Sequence, residues 1–385
     1  MSEYQYYEFQ AIDRRLVQSE MDALRSCSSR ATITDTRFVN HYNFGSFKGN
    51  PSSWMEKYFD AFLYLANWGT HDFRFRLPRR ILELDTAQLY CRGEAAVARN
   101  KNDFIILEFL SQSDDRGGWD DEDESGWLSS LIPLRADLAA GDHRVLYLGW
   151  LLCVQAGELE ADAIEPPIPG GLGSLTAPLQ AFADFLRIDD DLITVAATRS
   201  PEADELPSDE ELEAWLGTLS DGEKNGWLHR FATGREPHLR AELLRRFLES
   251  RPVSPHTGEP PRTVGELLAT AGQHTKERRR REAERAAAER ARREREKAES
   301  RERYLEGLAQ REAKAWEEVD TLIATKHPSR YDDAVKLLCD LRDLGFRKGR
   351  ASEVEARLLR LREQHARKPS FVERLTKAGL GKLGA

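Results

Sequence analysis

The chain has 385 residues, of which 57 are Lys or Arg and 66 are Asp or Glu, so its formal net charge is -9. This charge excludes a uniformly basic nucleic-acid-binding protein. Charged residues make up 32% of the chain, above the roughly 25% of a typical globular protein, so part of the chain must be very polar.

The charge is distributed unevenly along the chain. Residues 276–385 contain 30 Lys/Arg against 21 Asp/Glu, a net +9, whereas residues 1–275 contain 27 against 45, a net -18. The two parts therefore differ in electrostatic character and are suited to different partners.

No motif indicates a metal site, a cofactor or a catalytic group. The four cysteines lie at least 60 residues apart and form no Cys-x-x-Cys pair, so we expect neither a structural zinc site nor a disulfide framework. The chain also lacks a P-loop, an HExxH motif, a nucleophile elbow and the kinase motifs. We therefore assign no catalytic, cofactor-binding or metal-binding residue.

The sequence also bears on the compartment. It begins without a secretion signal, and its longest apolar run is near ten residues, whereas a membrane-spanning helix needs about 20. We expect a cytoplasmic protein that does not bind a membrane.

The first segment, residues 1–128, is predicted to be an α+β head with four strands. An amphipathic helix is predicted to begin at Pro51, because Trp54, Tyr58, Phe62 and Leu65 recur at helical spacing. The predicted strands are Tyr4–Phe9, Thr32–Tyr42, Phe73–Leu77 and Asp103–Leu110.

Residues 129–250 are predicted to form a helical domain, since period-2 patterns are missing from it. A proline-rich connector with a short helix is predicted for residues 251–275. Three S/T-x-x-E capping boxes predict helix starts in these two segments; they are Ser208 with Glu211, Ser220 with Glu223, and Thr263 with Glu266.

Residues 276–303 are predicted to form a charged helical arm. They contain 13 Lys/Arg and 8 Asp/Glu and no apolar stripe. Acid-to-base pairs four residues apart stabilise such a helix without a core; they are Glu277 with Arg281, Glu289 with Arg293, and Glu299 with Arg303. Residues 304–385 are predicted to form a helical hairpin, so the fold class is α+β with a helical middle, a long charged helix and a C-terminal hairpin.

Two candidate binding features lie in the C-terminal part. Arg278, Arg279, Arg280 and Arg281 are four contiguous cations that fit phosphates or an acidic partner, although a solvated charged helix is the favoured interpretation because eight acids lie in the same segment. The second feature is an apolar stripe that needs a cover and is predicted to face a partner. Its residues are Leu305, Leu308, Trp316, Val319 and Ile323.

Two further charge clusters lie in the head. The acidic loop 114–126 lacks the Gly and Glu positions of a calcium loop, so a solvated surface loop is favoured; the sequence leaves open whether it binds a cation or a basic partner. A basic strand carries Arg74 and Arg76, with Arg79 and Arg80 just beyond it. Alternation predicts that its phenylalanines face the core and that Arg74 and Arg76 face water, although cations beside aromatic rings also suit single-stranded nucleic acid.

Several phrases carry a resemblance to a known family: Tyr6-Tyr-Glu-Phe-Gln-Ala-Ile-Asp13, Tyr58-Phe-Asp-Ala-Phe62 with Ala66-Asn-Trp-Gly69, and Ala366-Arg-Lys-Pro-Ser370 before Ala378-Gly-Leu380. They resemble a bacterial family of uncharacterised proteins whose C-terminal part is similar to that of some SWIM zinc-finger proteins. The SWIM ligands, Cys-x-Cys followed by Cys-x-His, are missing here, so the resemblance implies a bacterial cytoplasmic protein and no zinc site.

The sequence favours a non-enzymatic interaction or adaptor protein that binds a protein partner through the charged arm and the C-terminal helices. Two alternatives stay open. One is a nucleic-acid-associated accessory protein that uses Arg278–Arg281, and the other is an enzyme with an unrecognised, dispersed site. The sequence does not specify the partner, the pathway or the oligomeric state.

Overall fold

The structure, a computed structural model, describes residues 4–43, 45, 47–113, 126–202, 208–234, 239–250 and 260–380, without the side chains of residues 241 and 249. The chain divides into two compact units, residues 1–278 and 279–385. The fold is α+β, with the named strands in the first 112 residues and helices after them.

The strands of the first unit form a seven-stranded antiparallel sheet in the order β2-β3-β1-β4-β5-β7-β6. Four strands were predicted from the sequence; one of them, Thr32–Tyr42, is divided into β2 and β3 in the structure, and β4 and β6 were not predicted. The strands are β1 (Gln5–Gln10), β2 (Thr32–Ile33), β3 (Arg37–Tyr42), β4 (Ala61–Ala66), β5 (Thr70–Pro78), β6 (Ala96–Lys101) and β7 (Phe104–Gln112).

The helices of the first unit lie between these strands and after them. They are α1 (Gln18–Cys27), α2 (Pro51–Lys57), α3 (Leu84–Tyr90), α4 (Trp127–Leu131), α5 (Pro133–Ala139), α6 (Arg144–Gln155), α7 (Ala177–Leu186), α8 (Asp190–Ala197), α9 (Asp209–Thr218), α10 (Asp221–Thr233) and α11 (Leu239–Ser250). The predicted capping boxes of α9 and α10 are both confirmed, because serine and glutamate exchange hydrogen bonds at each helix start.

Both faces of the sheet are packed. On one face, Phe73 and Phe75 of β5 join a core that includes the buried helix α6. On the other face, Phe9 and Phe62 pack against Trp54 of α2. Side chains that alternate along each strand therefore reach two separate cores.

The helix predicted to run from Pro51 to Leu65 is wrong in its second half. The helix ends at Lys57, and residues Ala61–Ala66 form β4, which pairs with β1 on one side and with β5 on the other. A central strand that is covered on both faces is a continuous apolar run. Its periodicity does not distinguish it from a short helix.

A long helix, α12 (Val264–Gln310), begins in the first unit and ends in the second. The second unit continues with α13 (Glu312–Ala324), α14 (Pro328–Arg347), α15 (Ala351–Gln364) and α16 (Pro369–Lys377). The helical hairpin predicted for the C-terminus corresponds to α14 and α15. Within the described residues, no helix combines the length and the apolar character that crossing a bilayer requires.

Candidate functional site

Helix α12 is packed at its start. The predicted capping box is present, because the Glu266 amide donates to Thr263 Oγ1 at 3.2 Å and the Thr263 amide donates to the Glu266 carboxylate at 2.9 Å. One face of its first two turns, formed by Val264, Leu267 and Ala271, is buried in the core of the first unit. This part of α12 therefore behaves as an ordinary core helix.

The packed part of α12 ends at a buried carboxylate on α8. Asp191 is 2% exposed and accepts hydrogen bonds from Arg278 Nε at 3.0 Å and Nη2 at 2.8 Å. His274 Nδ1 lies 2.8 Å from the same carboxylate. The Arg278 guanidinium, assisted by His274, holds the pKa of Asp191 well below its usual range, although burial opposes this shift.

Beyond Arg278, every residue of α12 from 279 to 304 is exposed. This stretch has eleven Lys/Arg and seven Glu, a net +4, and it spans about 39 Å at the helical rise. Of the predicted pairs, Glu289 with Arg293 is present, whereas Arg303 Nε donates to the Glu299 backbone carbonyl at 3.4 Å. Arg292 pairs with Glu296 at 2.8 Å. We call residues 279–304 the exposed segment.

The four contiguous arginines do not share one environment. Arg278 is committed to Asp191, whereas Arg279, Arg280 and Arg281 are exposed in α12. Arg280 lies 3.6 Å from Glu284 on the next turn. The contiguous exposed run beyond the Arg278–Asp191 pair is therefore three arginines long instead of four.

The apolar stripe that was predicted to face a partner is buried within the chain, and this prediction is wrong. Its five residues are at most 5% exposed and belong to the core of the second unit, together with residues of α14, α15 and α16 such as Leu338, Leu358 and Phe371. The stripe needs a cover, as its pattern indicates, but the cover is the chain's own C-terminal helices. The buried stripe consists of Leu305, Leu308, Trp316, Val319 and Ile323.

A second buried carboxylate lies where the exposed segment ends. Asp340 of α14 is 5% exposed and pairs with Arg301. The Tyr304 hydroxyl donates to Asp340 Oδ2 at 2.8 Å, and Arg301 Nη2 donates to Asp343 at 2.8 Å. The hydrogen bonds that Arg301 donates to these carboxylates, above all to Asp340, raise its pKa. An arginine paired with a buried aspartate thus lies near each end of the exposed segment, Arg278 just before it and Arg301 in its last turn.

Sequence reasoning missed Asp191 and Asp340. Asp191 follows the N-cap Asp189 of α8, where acidic residues are common for local reasons, and its partner Arg278 is 87 residues away. An aspartate within an otherwise apolar helix face is the one sequence signal for Asp340, because a buried acid needs a cation.

The two arginines of the basic strand do not face water as predicted. Arg76 is 5% exposed and bonds Asp60, itself fully buried, at 2.7 Å, while Arg74 bonds Asp72 at 2.6 Å. The phenylalanines do face the core, but the opposite side of β5 is covered by α2 and the second core. These side chains are structural ion pairs instead of a nucleic-acid-binding strip.

The acidic loop falls almost wholly outside the described residues, which resume at Gly126. Among the residues that are described, no group of three or more His, Cys, Asp or Glu side chains is arranged to hold a metal ion.

Comparisons with protein-family models, with curated proteins and with solved structures find no match to this chain. The resemblance to a bacterial family therefore stays a prediction.

Proposed function

We propose that the protein is a non-enzymatic interaction protein that binds an acidic protein partner through the exposed segment of α12 and the C-terminal helices. The observation that carries this proposal is that all residues from 279 to 304 are exposed in a continuous helix. A helix with no buried face contributes nothing to a core, and its charged side chains stay accessible from solvent, including those that also pair within the chain.

The charge of this surface supports an acidic partner. The exposed segment has a net charge of +4, and residues 347–377, which include α15 and α16, contain ten Lys/Arg against four Glu, a net +6. Opposite charge steers the encounter of two proteins and favours one class of partner over others.

The arrangement of the arginines also supports recognition along one side of the helix. Arg281, Arg285 and Arg292 are separated by four and seven residues, which places them on one face. Each is exposed. An acidic helix or loop that lies along this face would meet three guanidinium groups, which bind carboxylates in bidentate geometry.

The test uses the full chain and two polyanionic probes, polyglutamate and a duplex DNA, in fluorescence anisotropy at low and physiological ionic strength. Polyglutamate is expected to bind at low salt, and its affinity is expected to fall as added salt screens the charges. The triple variant R281Q/R285Q/R292Q should weaken binding about tenfold, since exposed ion pairs contribute about 0.2–1 kcal/mol each.

The matched control removes three exposed arginines from the first unit, Arg15→Gln, Arg30→Gln and Arg99→Gln. It lowers the net charge by the same amount, so equal weakening by both triple variants would show that net charge alone drives binding. That result, or no binding of polyglutamate by the unmodified chain, would contradict the proposal.

A nucleic-acid-associated function is the second candidate, and the contiguous exposed run Arg279–Arg281 supports it. The seven glutamates of the same segment repel phosphates, which is why we place it second. Under this candidate, DNA binds more tightly than polyglutamate, with a log-log salt slope near -0.9 per neutralised phosphate.

A further inference from the structure

A cleft in the first unit lies at the end of the sheet where β5 ends and β7 begins. Its volume is about 760 Å³, and its lining includes Arg76, Phe104, Lys57, Arg79 and Arg80. Pro78 of β5 pairs with Phe104 of β7 in the sheet, so the cleft rests on hydrogen-bonded strand ends. This volume falls in the range of small-molecule sites, roughly 300–1,000 Å³.

The buried ion pair of Arg76 forms a fixed wall of the cleft. Asp60 accepts from Arg76 Nη2 at 2.7 Å with one oxygen, and from the amides of Ile12 and Asp13 at 2.6 and 2.9 Å with the other. Arg76 Nη1 donates to the Glu56 carbonyl at 2.9 Å. These bonds hold the guanidinium in place before any ligand arrives, which reduces the cost of binding.

An aromatic ring and a second ion pair complete this wall. The Arg76 guanidinium lies 4.6 Å from the centre of the Phe104 ring. Arg135 Nε donates to the Arg76 carbonyl at 3.2 Å, and its Nη atoms bond Asp13 at 2.9 and 2.6 Å. The cleft therefore has a half-buried apolar surface next to fixed cations.

The charges around the cleft leave a positive surplus. Two of its carboxylates are matched by cations, Asp13 by Arg135 at 2.6 Å and Glu56 by Lys101 at 3.0 Å. Within the described part of the chain, no ion pair engages the side chains of three lining cations, and Asp103 is the one lining acid left to oppose them. These three cations are Lys57, Arg79 and Arg80.

We propose that this cleft binds a phosphorylated small molecule, a site that goes beyond the proposed function on α12. Arg79 and Arg80 are adjacent and exposed at the rim, where guanidinium groups bind phosphate oxygens in pairs. Lys57 adds a third cation, and the Phe104 ring offers apolar contact to the organic part of the ligand.

The experiment is isothermal titration calorimetry of the full chain with pyrophosphate, with ribose 5-phosphate and with ribose. Pyrophosphate and ribose 5-phosphate are expected to bind, whereas ribose, which has no phosphate, is not. The double variant R79Q/R80Q should weaken phosphate binding about tenfold or more, because hydrogen bonds between charged groups are stronger than those between neutral groups. Both arginines are exposed, so this variant is expected to stay folded.

The matched control is R279Q/R280Q, which removes two adjacent exposed arginines from α12. It should leave phosphate binding unchanged, while R79Q/R80Q should leave polyglutamate binding unchanged, so failure of the cleft and failure of the α12 surface are distinguishable. The proposal is overturned if neither phosphate probe binds, if both double variants weaken binding equally, or if only an oligonucleotide binds, with affinity rising with its length.

Discussion

Two arginine-rich segments of this protein resemble each other in sequence and differ in structure. In the strand β5, Arg74 and Arg76 alternate with phenylalanines; Arg76 is buried in an ion pair with Asp60, and Arg74 is half-buried in one with Asp72. In α12, the run Arg279–Arg281 is exposed. The difference lies in what surrounds each segment, because a strand that is covered on both faces, as β5 is, leaves no solvent-exposed side for its cations.

This comparison separates arginines that stabilise the fold from arginines that are available to a partner. Removing one partner of a buried ion pair strongly destabilises the folded protein, since the other charge stays buried without a counter-charge. An exposed arginine has water as an alternative partner, so its loss changes stability little. Substitutions at the two segments should therefore have very different effects on the free energy of unfolding.

The largest effect is expected for Arg76→Gln. It leaves the fully buried Asp60 carboxylate without its cation, and breaking such a pair costs about 3–5 kcal/mol. Urea unfolding monitored by tryptophan fluorescence measures the loss. A change below about 1 kcal/mol, within the range of an exposed site, would show that the Asp60–Arg76 pair is not structural.

An intermediate effect is expected for Arg278→Gln, at the boundary between the packed and exposed parts of α12. Asp191 stays buried and keeps the contact to His274 but loses two hydrogen bonds. When a buried charged acceptor loses hydrogen-bond donors, the free energy of unfolding falls by about 1–3 kcal/mol. The same urea titration measures this loss. A loss as small as that of R279Q/R280Q would show that the Arg278–Asp191 pair does not stabilise the fold.

The pH dependence of stability checks the same ion pair. Because the folded pKa of Asp191 is lowered, its contribution is fully present above its unfolded pKa of about 3.9 and is lost as the pH falls through the folded value. The R278Q variant should therefore lose less stability than the unmodified chain on acidification below about pH 4. Parallel pH profiles for the two proteins would contradict this assignment.

The smallest effect on stability is expected for R279Q/R280Q. Both side chains are exposed, so the free energy of unfolding should change by no more than about 0.5 kcal/mol. Thermal unfolding by circular dichroism measures this at constant salt. A loss of several kcal/mol would mean that this part of α12 packs against other parts of the protein.

Local sequence patterns predicted those features that depend on neighbours in the chain. The capping boxes at Ser208, Ser220 and Thr263 are present with their glutamates, because a cap involves residues only three apart. The helical character of residues 276–303 was predicted for the same reason, from Glu-to-Arg spacing and the missing apolar stripe.

Features that depend on distant residues were not predictable. Asp60, the partner of Arg76, belongs to a segment that periodicity assigned to a helix, and the burial of β5 on its second face depends on α2. The stripe from Leu305 to Ile323 does identify an interface, but sequence does not distinguish a cover supplied by the same chain from one supplied by a partner. One apolar pattern is compatible with both.

The central claim is that α12 has a packed start and an exposed, charged continuation that is available to a partner. Hydrogen exchange of the full chain, followed by mass spectrometry, tests it within one helix. We predict strong protection for the amides of residues 264–278 and much weaker protection for those of residues 279–304, since exposed helical turns open locally at low cost. Equally strong protection in both stretches would contradict the claim, because it would mean that the charged continuation is packed.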